Sequence, residues 1–358
     1  MDSKRNQKMC LIIGLAFLIS MGANANADFT FGTPINLGSP VNTSYRDGVA
    51  CTSTDGLSLF FASTRPGGYG AWDLLVATRA TKEDSWEEPV NLGQTVNSSS
   101  ADLGPDISDD GLTLILQSNR PGGQGGWDLW ITTRMTTNDP WDPPINLETP
   151  INSSGDEVGA SASSDGLSLF FSSTRPGGYG GDDLYVTTRP SLSESWENPF
   201  NLGPDINTTH TDRAPSISAD GRMLFFHSDR PGGQGSYDLW LTKRSNVTDS
   251  WEAPVNIGST INSSVPDVGP SISDDGRTLF FMSTRSGGSG DFDAWQVSID
   301  PVVDLNGDGI VDAADMCIVV DFWGTNEPLC DIGPMPWGDG VVDVQDLIVL
   351  AEHLLEEI

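Results

Sequence analysis

Positive charge is scarce in this 358-residue chain: 18 lysines and arginines stand against 50 aspartates and glutamates, a formal net charge of −32. So acidic a surface repels phosphate backbones and anionic headgroups, which excludes nucleic-acid and membrane-surface partners. Histidine is nearly absent as well. Its three copies, His210, His227 and His353, stand beside no nucleophile in a recognisable motif, and a Ser-His-Asp hydrolase is set aside on that ground. Cysteine numbers four, too few for a disulfide framework, which leaves Cys317 and Cys330 either as a pair or as two thiols. The one conspicuous apolar run, Cys10 to Met21, is too short and wrongly flanked for a dependable membrane span.

That run reads instead as the core of an export signal. Lys4, Arg5 and Lys8 precede it and "GANANA" follows, with small residues at Ala25 and Ala27, so cleavage is expected before Asp28 and the mature chain in a secreted or periplasmic location. Cys10 precedes the apolar core, which argues against lipoprotein processing.

Glycine and proline, by contrast, are abundant, at 40 and 23 copies, as chains of many turns require. Their placement is periodic. Asp-Gly recurs at Asp55, Asp110, Asp165, Asp220 and Asp275, and an arginine at Arg65, Arg120, Arg175, Arg230 and Arg285, always 55 residues apart. Within a copy, as over residues 104–147, four short β-prone runs are separated by turn residues: "GPDIS", "LTLILQSNR", "WDLWITTR" and "WDPPINL". Four strands per unit of this length make a propeller blade. We letter them A to D, with A nearest the axis.

Runs of type D begin at Trp86, Trp141, Trp196 and Trp251, one fewer than the A, B and C sets. One period before Trp86 lies Phe31, and "FGTPINLG" aligns with "WEEPVNLG". The N-terminal segment is therefore expected to supply the outer strand of the last blade and close a five-bladed, all-β propeller over residues 28–300. The repeats "PSISDDGRTLFFMSTRSGG" and "APSISADGRMLFFHSDRPGGQGSYDLW" resemble the PD40, or WD40-like, repeats of the TolB family of propellers. That resemblance implies a platform for binding or scaffolding.

From Asp304 the text changes to "DLNGDGIVDAAD". Oxygen donors at Asp304, Asn306, Asp308, the carbonyl of Ile310, Asp312 and Asp315, with Gly309 at the sharp turn, suit calcium. Two apolar stretches at helical spacing follow the two halves of the segment. Residues 301–358 are thus expected to form a small all-α loop-and-helix domain that is dockerin- or EF-hand-like. It resembles the type I dockerins, which implies calcium-dependent folding and a cohesin-like protein partner. Two departures stand out. Counting back from Asp346 keeps Asp339, Gly340 and Asp343 but puts Met335 and Trp337 at the first and third loop positions, so the second loop is expected to be degenerate. Ala313 and Ala314, then Val344 and Gln345, replace the Ser-Thr-like recognition pair of dockerins.

Three candidate features remain in the propeller. Asp47, Asp102, Glu157, Asp212 and Asp267 precede the A strands in step and should ring the channel mouth, either capping turns, the preferred reading, or holding a cation on the axis. Tyr69, Trp72, Gln124, Trp127, Tyr179, Gln234 and Tyr237 fall in or just after the B to C loops, where aromatic faces could stack on sugar rings of a polysaccharide. The loop arginine of "STRPGGYG" is expected to pair with the aspartate that opens strand C of its own blade, as Arg65 with Asp73. A non-catalytic binder on this face is the leading expectation, and a glycoside hydrolase with unlike carboxylates in the channel mouth is the rival.

Overall fold

The computed structural model describes residues 29–325, 327, 329–333, 338 and 341–355; the expected signal segment, 1–27, lies outside them. Five antiparallel sheets follow one another along the chain, the first four each running A to D in order and the fifth taking its D strand from the N-terminal segment. Their A strands are Asp47–Thr52, Asp102–Ile107, Glu157–Ala162, Asp212–Ile217 and Asp267–Ile272. The fold is an all-β five-bladed propeller, with two short helices further along the chain.

Closure follows the alignment of the N-terminal segment. Ile35–Asn36 pairs with the C strand of the last blade, Ile35 opposite Gln296 and Asn36 opposite Trp295. The D strands are only two residues long in every blade. What fixes the chain before four of them is a stacked pair: Arg79 over Trp86, Arg134 over Trp141, Arg189 over Trp196 and Arg244 over Trp251, at 4.2–4.3 Å. The core lies between blades, where apolar residues of neighbouring A, B and C strands interdigitate, as Leu59, Phe61 and Leu75 do with Phe280 and Ala294. At every junction a buried asparagine mimics a strand backbone. Asn97, for example, accepts from Leu74 N at 2.8 Å and donates to the Leu74 carbonyl at 3.0 Å.

Each A strand carries a bulge, between Leu103 and Asp106 in the second blade and at the same place in the others. Three blades put glycine there with positive φ (Gly104, Gly159 and Gly269), whereas Ala214 adopts φ 53° with a side chain.

The propeller proper is one compact unit, Thr33–Ser298. A second unit holds the described residues of 29–32 and 299–355. In it Phe29–Phe31 pairs with residues 299–301, and two helices, Ala313–Asp321 and Val344–Glu352, pack around Val311, Val319, Val342 and Leu350. Each helix starts with a capping box, Asp312 with Asp315 and Asp343 with Asp346.

Candidate functional face and axial channel

The five carboxylates, expected to precede the A strands, are instead their first residues and are buried, with no exposed side-chain surface. Asp47 shows the arrangement: Oδ2 accepts from Thr43 N at 2.7 Å, and Oδ1 accepts from Ser63 Oγ at 2.5 Å and Arg65 Nη2 at 2.9 Å. The same partnership joins Asp102 to Arg120, Glu157 to Arg175, Asp212 to Arg230 and Asp267 to Arg285, at 2.5–3.1 Å. Each carboxylate therefore caps a turn and has its own guanidinium. The compensation that a shared axial cation would supply comes from arginine.

This corrects the expected Arg65–Asp73 pairing. Arg65 turns inward because its Nε bonds Ser63 Oγ and its Nη2 bonds the Val41 carbonyl, while its planar face lies over Phe61. Asp73 accepts instead from Tyr69 N and Gly70 N, closing its own loop. The paired glycines are a requirement of that closure, since a Cβ on Gly68 would fall 1.7 Å from Asp73 Oδ2.

The loops so fixed present the variable residues. Tyr69 and Tyr179 are 48% and 47% exposed, Gln124 and Gln234 are exposed, and Trp72, Trp127 and Tyr237 are half-buried. Each B to C loop lies against the D to A loop of the next blade: a Cβ on Gly70 would meet the Ser100 carbonyl, on Gly180 that of His210, and on Gly290 that of Tyr45. Repeated backbone thus sets unlike residues against one another at these junctions, the loop of Tyr69 and Gly70 against Ser100, that of Tyr179 and Gly180 against His210, and that of Ser289 and Gly290 against Tyr45.

Of the histidines, His227 is buried, edge-on to Tyr237, and its Nδ1 accepts from Gly269 N of the next blade at 3.2 Å. Burial, with Arg213 nearby, pushes its pKa down to about 3. The folded ring stays neutral where an unfolded histidine, at its ordinary 6.5, takes a proton. Stability is therefore lost as pH falls from 6.5 towards 3. His227→Gln keeps an acceptor without titrating and should gain about 2 kcal/mol on wild type between pH 7 and pH 5, read by urea unfolding at each pH. Parallel unfolding curves for the two proteins at both pH values would contradict this.

On the axis, strand A places Cys51, Asp106, Ser161, Ser216 and Ser271 at one level. Three of these bind the next blade: Asp106 Oδ2 accepts from Ala162 N, Ser161 Oγ from Ile217 N and Ser216 Oγ from Ile272 N. They line a small cavity of about 40 Å³ together with Asp109 and Asp274. Burial, then repulsion from Asp274 and Asp109, pushes the Asp106 carboxyl up to about 7. Sequence reasoning passed over Asp106. Its signal was there, as one acid in a column otherwise of serine and cysteine.

In the second unit, the Asp304 loop folds around its own carboxylates. Asp304 accepts from the amides of Gly307, Asp308 and Gly309, and Asn306 Oδ1 accepts from Asp308 N. Asp308 accepts from Ile310 N, Asp312 from Ala314 N, and buried Asp315 from the amides of Asn306 and Asp312. Among the described residues no three His, Cys, Asp or Glu side chains converge as a metal-binding group. The loop's oxygen-only donors and its turn at Gly309 nonetheless suit a hard cation.

The second loop needs a different register from the one counted back from Asp346. Met335, Trp337, Asp339 and Gly340 lie outside the described residues. Asp346 Oδ1, however, accepts from Gly333 N at 2.7 Å, as Asp315 Oδ1 accepts from Asn306 N at 3.0 Å. Gly338 has φ 72° and Gly307 has φ 71°; a Cβ on Gly338 would meet the Asp331 carboxylate, where Gly307 N donates to Asp304. Asp331 is therefore the counterpart of Asp304, and it precedes Asp346 by four residues more than Asp304 precedes Asp315. Cys317 is exposed and Cys330 buried, both as free thiols.

No family model matches the chain, and no curated protein matches it. Solved structures similar to it include TolB from Acinetobacter baumannii, at 14% identity and TM-score 0.44, covering 72% of this chain and 55% of that one. They also include the α-L-arabinofuranosidase PaAbf62A from Podospora anserina, at 12% identity and TM-score 0.48, covering 76% and 97%. A thermostable family-43 glycoside hydrolase stands at 12% identity and TM-score 0.49, covering 74% and 91%.

Proposed function

We propose that the chain is an exported, non-catalytic propeller that binds polysaccharide through its loop face, and that its C-terminal loop-and-helix pair is a calcium-dependent tether to a cohesin-like protein partner. One observation carries the first part. All five carboxylates that open the A strands are buried in arginine pairs, and half-exposed tyrosines stand on the loops of that face. Aromatic faces with neighbouring polar groups suit sugar rings. On an array of plant and microbial oligosaccharides, the full chain should be retained, and Tyr69→Ala with Tyr179→Ala should weaken the best signal at least tenfold. An unchanged signal would contradict this.

For the tether, support comes from the oxygen-donor loop Asp304–Asp315 and the matching hydrogen bonds of its partner loop. Calcium at about 1 mM should raise the melting temperature of the full chain's less stable transition by several degrees, and Asp304→Ala with Asp308→Ala should abolish the shift. Superimposable melts with calcium and with chelator would refute it.

A glycoside hydrolase is the second reading, favoured by one feature: Asp106, held near neutrality, shares a polar cavity with Asp109 and Asp274. A carboxyl with a raised pKa close to a second carboxyl is the pairing such chemistry uses. In that case Asp106→Asn would abolish hydrolysis.

A further inference from the structure

Repetition makes the exceptions visible. At the residue before each C strand the chain has Trp72, Trp127, Tyr237 and Phe292, but Asp182 in the third blade. At the second residue of each A strand it has Gly48, Leu103, Val158 and Val268, but Arg213 in the fourth. These two exceptions meet at one junction. Arg213 Nη1 and Asp182 Oδ2 stand 3.9 Å apart, with the Asp182 side chain 13% exposed and that of Arg213 37%. Another blade junction also carries an arginine and an aspartate, Arg46 and Asp291, but they close to 2.6 Å with a second bond from Nε at 2.8 Å. The Asp182–Arg213 pair stays open. Among the described residues no hydrogen bond reaches the Asp182 carboxylate, and the Arg213 guanidinium donates none. A largely buried carboxylate without donors is costly unless something supplies them.

We propose that the junction of the third and fourth blades is the principal sugar subsite of the loop face, and that it takes a neutral sugar through two adjacent hydroxyls. This rests on the glycan-binding reading above and narrows it from five junctions to one. One hydroxyl donates to Asp182 and its neighbour accepts from Arg213, so that each group gains the hydrogen bond the fold leaves unmade. Tyr179, in the same loop as Asp182, offers the half-exposed ring face, and His210 lies across the junction. An acidic sugar is disfavoured, because Asp182 already has Asp156 and Asp183 near it and burial raises its pKa first of all.

The test uses the full chain and four probes, cellotetraose, xylotetraose, mannotetraose and trigalacturonate, titrated calorimetrically. The informative variant restores the repeat's own residues, Asp182→Tyr with Arg213→Val, which the other blades accommodate in the same places. It should keep or raise the melting temperature and weaken neutral-sugar binding at least tenfold; Asp182→Asn alone should weaken it several-fold. Binding within twofold of wild type in the double variant would overturn the subsite while leaving the glycan-binding reading in place. A preference for trigalacturonate would overturn the neutral-diol chemistry. If wild type binds none of the four, the broader reading falls, and the subsite with it.

Discussion

Replacing Arg230 with alanine should destabilise the propeller by about 3–5 kcal/mol, the cost of leaving a buried charge without its partner. Arg230 is 9% exposed and Asp212 is fully buried. Nη2 of the arginine bonds both Asp212 Oδ1 and the Ile206 carbonyl, its Nε bonds Ser228 Oγ, and its face lies over Phe226 and Trp240. Truncation would strand a carboxylate that no solvent reaches, open a gap between two aromatic rings and free a loop carbonyl. Removing both charges, with Asp212→Asn and Arg230→Met, should cost clearly less, because no unpaired charge remains. Chemical unfolding of the three proteins checks this. Equal losses in the single and double variants would show that shape, and not charge, holds the mouth.

A larger effect still is expected from deleting residues 29–42. This removes the fourth strand of the fifth blade, the fully buried Val41, and Asn42, whose amide exchanges hydrogen bonds with Ala294 N and O at 2.9 and 2.8 Å. It also leaves the strand Asp293–Pro301 as an unpaired edge. The loss should exceed about 5 kcal/mol, on the scale of a whole domain's stability. The truncated chain should therefore lose its cooperative melt or associate through the exposed edge, and a synthetic peptide of residues 29–44 should restore the melt in trans. A truncated monomer melting as wild type does would contradict closure by this segment.

The ring was legible from sequence because a 55-residue period without insertion leaves only one arrangement of four-stranded blades, and because subtracting one period from Trp86 finds the closing strand. Side-chain direction was less legible. Arg65 and Asp73 are eight apart and look like partners, yet the glycine pair turns the loop so that Asp73 serves backbone amides and the arginine reaches Asp47. Counting failed in the second C-terminal loop for a related reason. Fixed spacing from Asp346 assumes no insertion, whereas the amide of Gly333 reports the true register and brings in Asp331. Asp106, Asp182 and Arg213 are not legible from what the repeats share, because the groups with unmet or perturbed chemistry are those that break the pattern.

The central claim is that the propeller holds polysaccharide without cleaving it. Its most direct test is to incubate the full chain with the oligosaccharide it retains best, for a day at pH 6, and to follow bound ligand and new reducing ends together. We predict a stable, saturable complex and no new ends above the blank. Release of product by wild type, lost in Asp106→Asn, would contradict the account and install the channel acid as a catalytic group.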